Sequence, residues 1–375
     1  MTLQGRLQEI VRPVAGPVRR RAIRWRTQSW PPFSRLFVAG DAGGWAIDDD
    51  ADQIARVARQ LGVQVGSERW VSSVRNQAVF YASQFSLIGG DFERDENRLG
   101  VTYLHGRPGQ GRPEFDACYE NVRARHEELS RVQVSCRAME ELVLGTGIAA
   151  EKVHRIPIGV DLPRFSLRDG ASRLVARRAL DLPESAFVVG SFQKDGVGWG
   201  DGLEPKLIKG PDVLLDALER LHRRVPELWV LLTGPARGYV KAGLERIGVP
   251  YRHVLLPDRD SVAEAYRALD VCFVASREEG GPKAVLEAMA TGVPLVTTRV
   301  GQAADLARHG ENAFVVELED AEGLAEWGAH VAEAPEAELS ALAGEERRTA
   351  EATSYDALRP RWLVLLRGFV AVGDG

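Results

Sequence analysis

The stretch SREEGGPKAVLEAMATGVPLVTT, residues 276–298, organises the reading of this chain. It carries two carboxylates, Glu279 and Glu287, on either side of a Gly280-Gly281-Pro282-Lys283 run. The apolar segment DVCFVAS leads into it, and VPLVTT leads out. Proline is tolerated in the first turn of a helix, where its missing N–H costs little. Lys283 to Ala290 therefore read as helix, and Gly292 is placed to end it in the left-handed conformation. The segment becomes strand, glycine-bearing turn, helix, turn, strand. Free N–H groups at such a helix start suit an anion, and the paired glycines let a ligand approach the backbone closely. Glu287 on the helix is placed to accept hydrogen bonds from a diol, and Glu279 in the turn to reach a second polyol. An anion flanked by hydroxyl groups describes a sugar nucleotide.

Working outward, alternating β and α patterns fill the rest of the chain in two successive sets. RLFVAG (35–40), AVFYASQF (78–85), LGVTYLHG (99–106) and VQVSC (132–136) read as strands of a first set, and KVHRIPIGVDLPRF (152–165) adds one more strand and a turn. AFVVGSF (186–192), LWVLLTG (228–234), HVLLP (253–257), DVCFVAS, VPLVTT and NAFVVEL (312–318) form a second. Helical spacing marks residues 115–132, 172–183 and 261–270, and GPDVLLDALERLHRRVP opening at Gly210. Such alternation predicts an α/β protein with two parallel-sheet, Rossmann-like domains. The expected division is a basic arm over 1–34, a first domain over 35–168, a second over 169–352, and a terminal segment over 353–375. In the last, Leu358, Trp362, Leu365, Leu366 and Phe369 have the spacing of a helix that docks on the body.

Composition narrows the function. The 375 residues are 45% hydrophobic and 27% charged, which fits a globular protein with sizeable cores. A net charge of −5 disfavours a nucleic-acid partner. Cys118, Cys136 and Cys272 lack paired or metal-ligand spacing and read as buried thiols of a reducing cytosol. No apolar run is long enough for a membrane span, and the basic N-terminus lacks the apolar core of a secretion signal. Residues 1–35 nevertheless carry eight arginines against Glu9, a balance of +7 that leaves −12 to the remainder. With Trp25 and Trp30 among those arginines, two readings stand: peripheral contact with the inner face of a membrane through residues 1–30, or a solvated arm whose Pro13, Pro17, Pro31 and Pro32 break up any long helix.

Further candidate positions follow from strand ends and glycines. Gly43-Gly44 lies between the first strand and a helix, where it serves either a close-approaching substrate or a tight turn. Asp48 to Asp50 suit a helix start better than a metal, and no metal site is expected. His105 falls at a strand end, where ligands of open α/β sheets bind, with Arg107 just beyond it. The 193–212 stretch is glycine-rich but is neither a P-loop nor a dinucleotide fingerprint, since Asp201 takes the third glycine position. Lys194, Lys206 and Lys209 cluster there, and Gly234 ends a buried strand. Ammonium groups beside a cleft suit a diphosphate.

Together these motifs resemble the family-4 retaining glycosyltransferases of the GT-B fold. The resemblance covers about residues 35–370 and rests chiefly on the E-x7-E motif Glu279-GGPKAVL-Glu287 with the following AMATGVPLVTT. IPIGVDLPRF, LIKGPDVLLDAL, AYRALDVCFVAS and HGENAFVVELED support it. It implies two domains facing across a cleft, with a C-terminal helix returning to the first. It assigns Glu287 to ribose hydroxyls, Glu279 to the donor sugar with Gly280, Gly281 and Pro282 near it, and Lys209 to the diphosphate. His105 matches the histidine near the transferred sugar, and Gly43-Gly44 the acceptor-side glycine loop. The implied reaction moves a hexose-type sugar from a UDP- or GDP-sugar to a hydroxyl acceptor without a cofactor, and the basic arm points to a saccharide or lipid-linked acceptor of bacterial surface polysaccharide or glycolipid synthesis. Three departures stand out. Ser191 occupies the usual arginine position, for which Lys194 is the expected substitute. Ile158 stands where asparagine is common, and Pro282-Lys283 replaces an aromatic-Gly pair. The competing readings are a non-catalytic scaffold of polysaccharide assembly, an epimerase or phosphorylase on the same plan, and a dinucleotide oxidoreductase, which the missing fingerprint disfavours.

Overall fold

A computed structural model describes residues 17–40, 46–67, 71–88 and 96–373. The chain divides into two compact units: 1–134, 138–156 and 359–375 in the first, and 135–137 with 157–358 in the second. Each is built on a six-stranded sheet whose recorded pairings are all parallel. Parallel strands covered by helices on both faces read as continuous apolar runs, and several strands here are buried at every residue.

In the first unit, β1 (Leu36–Ala39), β2 (Val65–Gly66), β3 (Ala78–Tyr81), β4 (Arg98–Tyr103), β5 (Leu129–Val134) and β6 (Val153–Arg155) lie in the order β2-β1-β3-β4-β5-β6. The sheet order therefore reverses at β1. The strand expected over 78–85 stops at Tyr81, because Ser83 caps a 3₁₀ turn, Gln84–Leu87, by accepting from the Phe85 amide at 3.3 Å. The helix expected over 115–132 ends at Arg125. Its last residues join β5 instead, where Val132 pairs with Val101 of β4, so sheet pairing overrides local periodicity. Two-residue β2 has too short a pattern to be read from sequence. In the arm, residues 17–28 are helical, and Pro31 and Pro32 lie beyond the end of the helix.

Residues 359–375 belong to the first unit. Leu358, Trp362, Leu365, Leu366 and Phe369 are buried, the last four within this unit. Trp362 and Phe369 meet the Phe80 ring edge to face, at 5.9 and 6.4 Å between centroids. Arg131 ties the segment down by donating to the carbonyls of Leu365 and Arg367 at 2.9 and 2.8 Å. Burial and the nearby Arg98 push this guanidinium below its ordinary pKa.

The second unit contains β7 (Phe187–Ser191), β8 (Leu228–Thr233), β9 (Tyr251–Val254), β10 (Val271–Val274), β11 (Leu295–Thr298) and β12 (Phe314–Val316), ordered β12-β11-β10-β7-β8-β9. The order reverses between β7 and β10, which pair through Val271 with Val189 and Cys272 with Gly190. The carboxyl end of such a switch point is where open α/β sheets bind ligands. The helices Ala321–Glu333 and Glu336–Ala352, which no motif announced, follow β12 and pack on the helices Pro211–Arg224 and Lys283–Thr291 respectively. All three cysteines are buried free thiols. No helix among the described residues is long and apolar enough to cross a membrane.

Candidate functional site

Two chain segments leave the switch point side by side. After β7 come Phe192 and Gln193; after β10 come Ala275, Ser276 and the turn holding Glu279. Gln193 Nε2 donates to Ser276 Oγ at 2.7 Å and to Glu279 Oε1 at 3.2 Å. Ser276 Oγ donates to the same carboxylate oxygen at 3.4 Å, and Lys209 Nζ forms an ion pair with it. Glu279 is only 8% exposed. A carboxylate this buried is costly without a charge partner, and Lys209 supplies one. The site therefore sets a cation and an anion side by side, ringed by an amide and a hydroxyl.

Local backbone chemistry explains how Lys209 arrives there. A single 3₁₀ turn, Leu207–Lys209, is followed by Gly210 at φ 63° and ψ 40°, and Pro211 then starts the helix Pro211–Arg224. The left-handed conformation suits glycine. Space requires it too, since a Cβ on Gly210 would fall well inside 3.0 Å of the Ala275 carbonyl oxygen. The turn is also tied to the segment after β10, because the amides of Arg277 and Glu278 donate to the Ile208 carbonyl at 2.9 and 3.0 Å. Arg277 then clasps Asp212 at 2.6 Å and also pairs with Glu319. These two partners raise its guanidinium above the ordinary pKa.

The predicted strand–turn–helix–turn–strand runs from β10 through residues 276–298 to β11. The helix spans Lys283–Thr291 and ends on Gly292 at φ 64°. Pro282 lies one residue earlier than expected, as the extended residue before the helix (φ −62°, ψ 109°). The Gly280 carbonyl accepts from the Gln302 amide at 2.7 Å, and the Gln302 side chain accepts from the Ile158 amide at 3.0 Å. Gly281 packs so closely on the Ile158 side chain that a Cβ would overlap it. Ile158, in place of the common asparagine, is thus an apolar stop behind the glycine turn.

Glu287 is 5% exposed and held by two residues of one neighbouring helix, Arg259–Arg267. Arg259 forms an ion pair with Oε1, and the Tyr266 hydroxyl donates to Oε2 at 3.0 Å. Burial and this carboxylate hold the Tyr266 phenol far above its ordinary pKa, so it stays a donor. A carboxylate has about four acceptor positions, so these contacts leave Glu287 acceptor capacity. Arg259 and Tyr266 escaped sequence reading. Their only signal is the i, i+7 spacing within a helix that otherwise reads as surface.

The glycine-rich loop is a short hairpin. Gly196 bridges Pro205, the Val197 amide donates to the Glu204 carbonyl at 2.9 Å, and the Lys206 amide to the Asp195 carbonyl at 2.7 Å. Gly196 and Gly202 lie against the backbone of Ala236 with no room for a Cβ. Lys194 Nζ sits 3.6 Å from the centroid of Trp199, and burial lowers its pKa. The arginine that meets Ser191 is instead Arg237. Its fully buried guanidinium donates to the Ser191 carbonyl at 2.6 Å, to Ser191 Oγ at 3.1 Å and to the Thr233 carbonyl at 3.1 Å, and pairs with Asp195 at 2.9 Å. Burial opposes both charges, pushing Asp195 up and Arg237 down, and each is held by the other. Arg237 thus joins the segments that leave β7 and β8. Gly234 (φ 77°) ends β8, and its carbonyl meets His253 Nε2 at 2.7 Å.

In the first unit, His105 lies two residues beyond β4. Gln84 clasps that turn, donating to the His105 carbonyl at 2.6 Å and accepting from the Leu104 amide at 2.8 Å. The imidazole packs edge to face on Phe115 at 5.4 Å and Phe85 at 6.0 Å. Gly106 at φ 106° lets Phe115 approach, and Arg107 is exposed on the same turn. Gly43 and Gly44 lie outside the described residues. Asp48 and Asp49 fall in the first turn of the helix Ala46–Gln60, as helix-start acids should.

Residues 202–332 match the sequence model of the family described as Glycosyl transferases group 1. The D-inositol 3-phosphate glycosyltransferase of Segniliparus rotundus is 30% identical over 304 residues, covering 73% of this chain and 62% of that protein. Its counterpart in Saccharomonospora viridis is 34% identical over 213 residues, covering 52% of this chain and 46% of that protein. The chain thus spans less than two thirds of the length of these relatives. Anabaena HepE in complex with UDP-glucose has a TM-score of 0.71 at 17% identity, covering 89% of this chain and 99% of that one. Sucrose-phosphate synthase of Thermosynechococcus elongatus has a TM-score of 0.70 at 18% identity, covering 89% and 98%. At these identities the likeness establishes a shared fold: two Rossmann-like domains of the GT-B type.

Proposed function

We propose that this protein is a retaining glycosyltransferase that moves a hexose-type sugar from a nucleotide-diphosphate sugar to a hydroxyl acceptor. The observation that carries this reading is the convergence of Lys209, Gln193, Ser276 and Glu279 at the β7/β10 switch point, with Glu287 on the helix that follows. The match of residues 202–332 to Glycosyl transferases group 1 supports it, as does the UDP-glucose bound by the Anabaena neighbour.

In this reading the donor diphosphate takes Lys209 from Glu279 and lies at the start of the Lys283–Thr291 helix, where backbone dipoles favour negative charge. Glu279, released from Lys209, accepts hydrogen bonds from the donor sugar, held in place by Gln193 and Ser276. Glu287 accepts from the ribose hydroxyls, with Arg259 and Tyr266 fixing its orientation. As the bond from the anomeric carbon to the phosphate oxygen breaks, charge grows on the diphosphate, and Lys209 is positioned to stabilise it. The acceptor oxygen bonds the anomeric carbon on the same face, and its proton passes to the departing phosphate. This electrostatic route uses no metal. A saccharide or lipid-linked acceptor of bacterial surface-glycan synthesis fits the reading.

A donor-hydrolysis assay tests it: the chain is incubated with a panel of UDP- and GDP-sugars, and release of the nucleoside diphosphate is followed with and without a saccharide acceptor. Release from at least one donor, with proton NMR showing the donor's anomeric configuration in the transferred product, supports the proposal. No release from any donor, or inversion at the anomeric carbon, refutes it.

A further inference from the structure

We infer that the helix at residues 17–28 is a docking surface for an anionic lipid bilayer. One face of this helix is anchored to the first unit. Ile23 and Thr27, one turn apart, are buried. Thr27 Oγ1 donates to the Ile23 carbonyl at 2.8 Å and accepts from the Arg75 amide at 3.0 Å, while Gln77 Nε2 donates to the Thr27 carbonyl at 3.3 Å. Beyond the helix, Trp30 stacks on Phe37 at 6.4 Å and carries Arg35 over its ring at 4.4 Å. The helix is therefore held by its buried side rather than trailing as a solvated arm.

The opposite face is exposed among the described residues. Val18, Ala22 and Trp25 recur at i, i+4 and i+7, which places them on one stripe about half a turn from Ile23 and Thr27. Val18 is 65% exposed and Trp25 is 77% exposed. Arg21 and Arg24 border this stripe on one side and Arg19 and Arg26 on the other, with Arg20 beside Arg24. Arg19, Arg20, Arg21 and Arg24 are exposed, and none is joined to a carboxylate among the described residues. Residues 17–28 include five arginines and no acidic residue, although the whole chain carries a net charge of −5. An apolar stripe bordered by arginines is the pattern of a helix lying in a membrane interface, its indole at headgroup depth and its guanidiniums on lipid phosphates. A nucleic acid would use the arginines but would leave Val18 and Trp25 wet. The inference is independent of the donor assignment, because every residue it uses lies in the first unit.

Sedimentation of the full chain with vesicles tests it. The vesicles are phosphatidylcholine alone, or equal parts phosphatidylcholine and phosphatidylglycerol, each at low and high salt. The expected result is binding to the anionic vesicles only, falling with salt. Each basic side chain near an anionic surface is worth roughly fivefold in partitioning. Changing Arg19, Arg20, Arg21 and Arg24 together to glutamine should therefore lower anionic binding by at least about a hundredfold. Trp25→Ser should weaken binding while leaving its salt dependence in place. Both changes are at exposed positions, and thermal melting at the wild-type temperature confirms intact folding. If the fourfold variant melts early, Trp25→Ser alone decides. Equal binding to neutral and anionic vesicles, unchanged binding by the variants, or binding to duplex DNA with none to vesicles would overturn the inference.

Discussion

Gly210 offers a sharp perturbation of the proposed donor site, because it touches no ligand in the proposal yet sets the position of Lys209. It adopts φ 63° and ψ 40°, a region that costs a residue with a Cβ roughly 1–2 kcal/mol. In Gly210→Ala the new methyl group would also fall well inside 3.0 Å of the Ala275 carbonyl oxygen. That oxygen is backbone, and the segment after it is fixed by the two amides bonded to Ile208, so it cannot yield cheaply. The relief available is a shift of the Leu207–Lys209 turn, which carries Lys209 away from Glu279. A charged hydrogen bond to a diphosphate contributes about 1.5–3 kcal/mol, so losing it weakens binding by roughly tenfold to a hundredfold or more. The assay is calorimetric titration with the nucleoside diphosphate that the wild type binds most tightly. Gly198→Ala is the control: Gly198 has φ 77°, but a Cβ there meets nothing within 4 Å, so strain is introduced without displacing Lys209. Wild-type affinity in Gly210→Ala, or equal loss in both variants, would refute the reasoning.

Other expectations follow from the same contacts. Arg237→Met leaves Asp195 buried without its charge partner and should destabilise the protein by about 3–5 kcal/mol in urea unfolding, whereas adding Asp195→Leu should restore much of that loss; a double variant no better than the single would contradict it. Glu287→Ala should raise the donor KM or abolish turnover in steady-state kinetics, and a fully active variant would remove the ribose assignment. His154 and His253 both have pKa values lowered by burial, so the unfolded chain binds more protons as pH falls. Their contribution to stability is complete above the unfolded value of about 6.5 and is lost as pH drops through the lower folded values; a melting temperature that rises on acidification through this window would contradict the sign.

Much of the fold was legible because both sheets are parallel and buried. VCFV of β10 and LVTT of β11 are apolar or small throughout, so both strands fall inside the expected runs DVCFVAS and VPLVTT. Legibility failed where pairing overrode local pattern, as at Leu129–Val134, and where a strand has only two residues, as at Val65–Gly66. In the candidate site, Glu279, Glu287 and Lys209 were visible because motif spacing and glycines mark them. Gln193, Ser276, Arg259, Tyr266 and Arg237 were not. They act through side-chain contacts between elements distant in sequence, and no local pattern records that Arg237 will meet Ser191, 46 positions away. The arm was half legible: its charge and tryptophans were plain, but Thr27 as the anchor of a helix depends on the Arg75 amide.

The claim that matters most is that the second unit holds a nucleoside diphosphate through Lys209. Titration calorimetry with UDP, GDP and ADP, on the wild type and on Lys209→Ala, tests it most directly. The expected result is saturable binding of UDP or GDP by the wild type, weakened at least about tenfold in Lys209→Ala, as loss of a charged hydrogen bond requires. No binding of any of the three, or equal affinity in the two proteins, would contradict it.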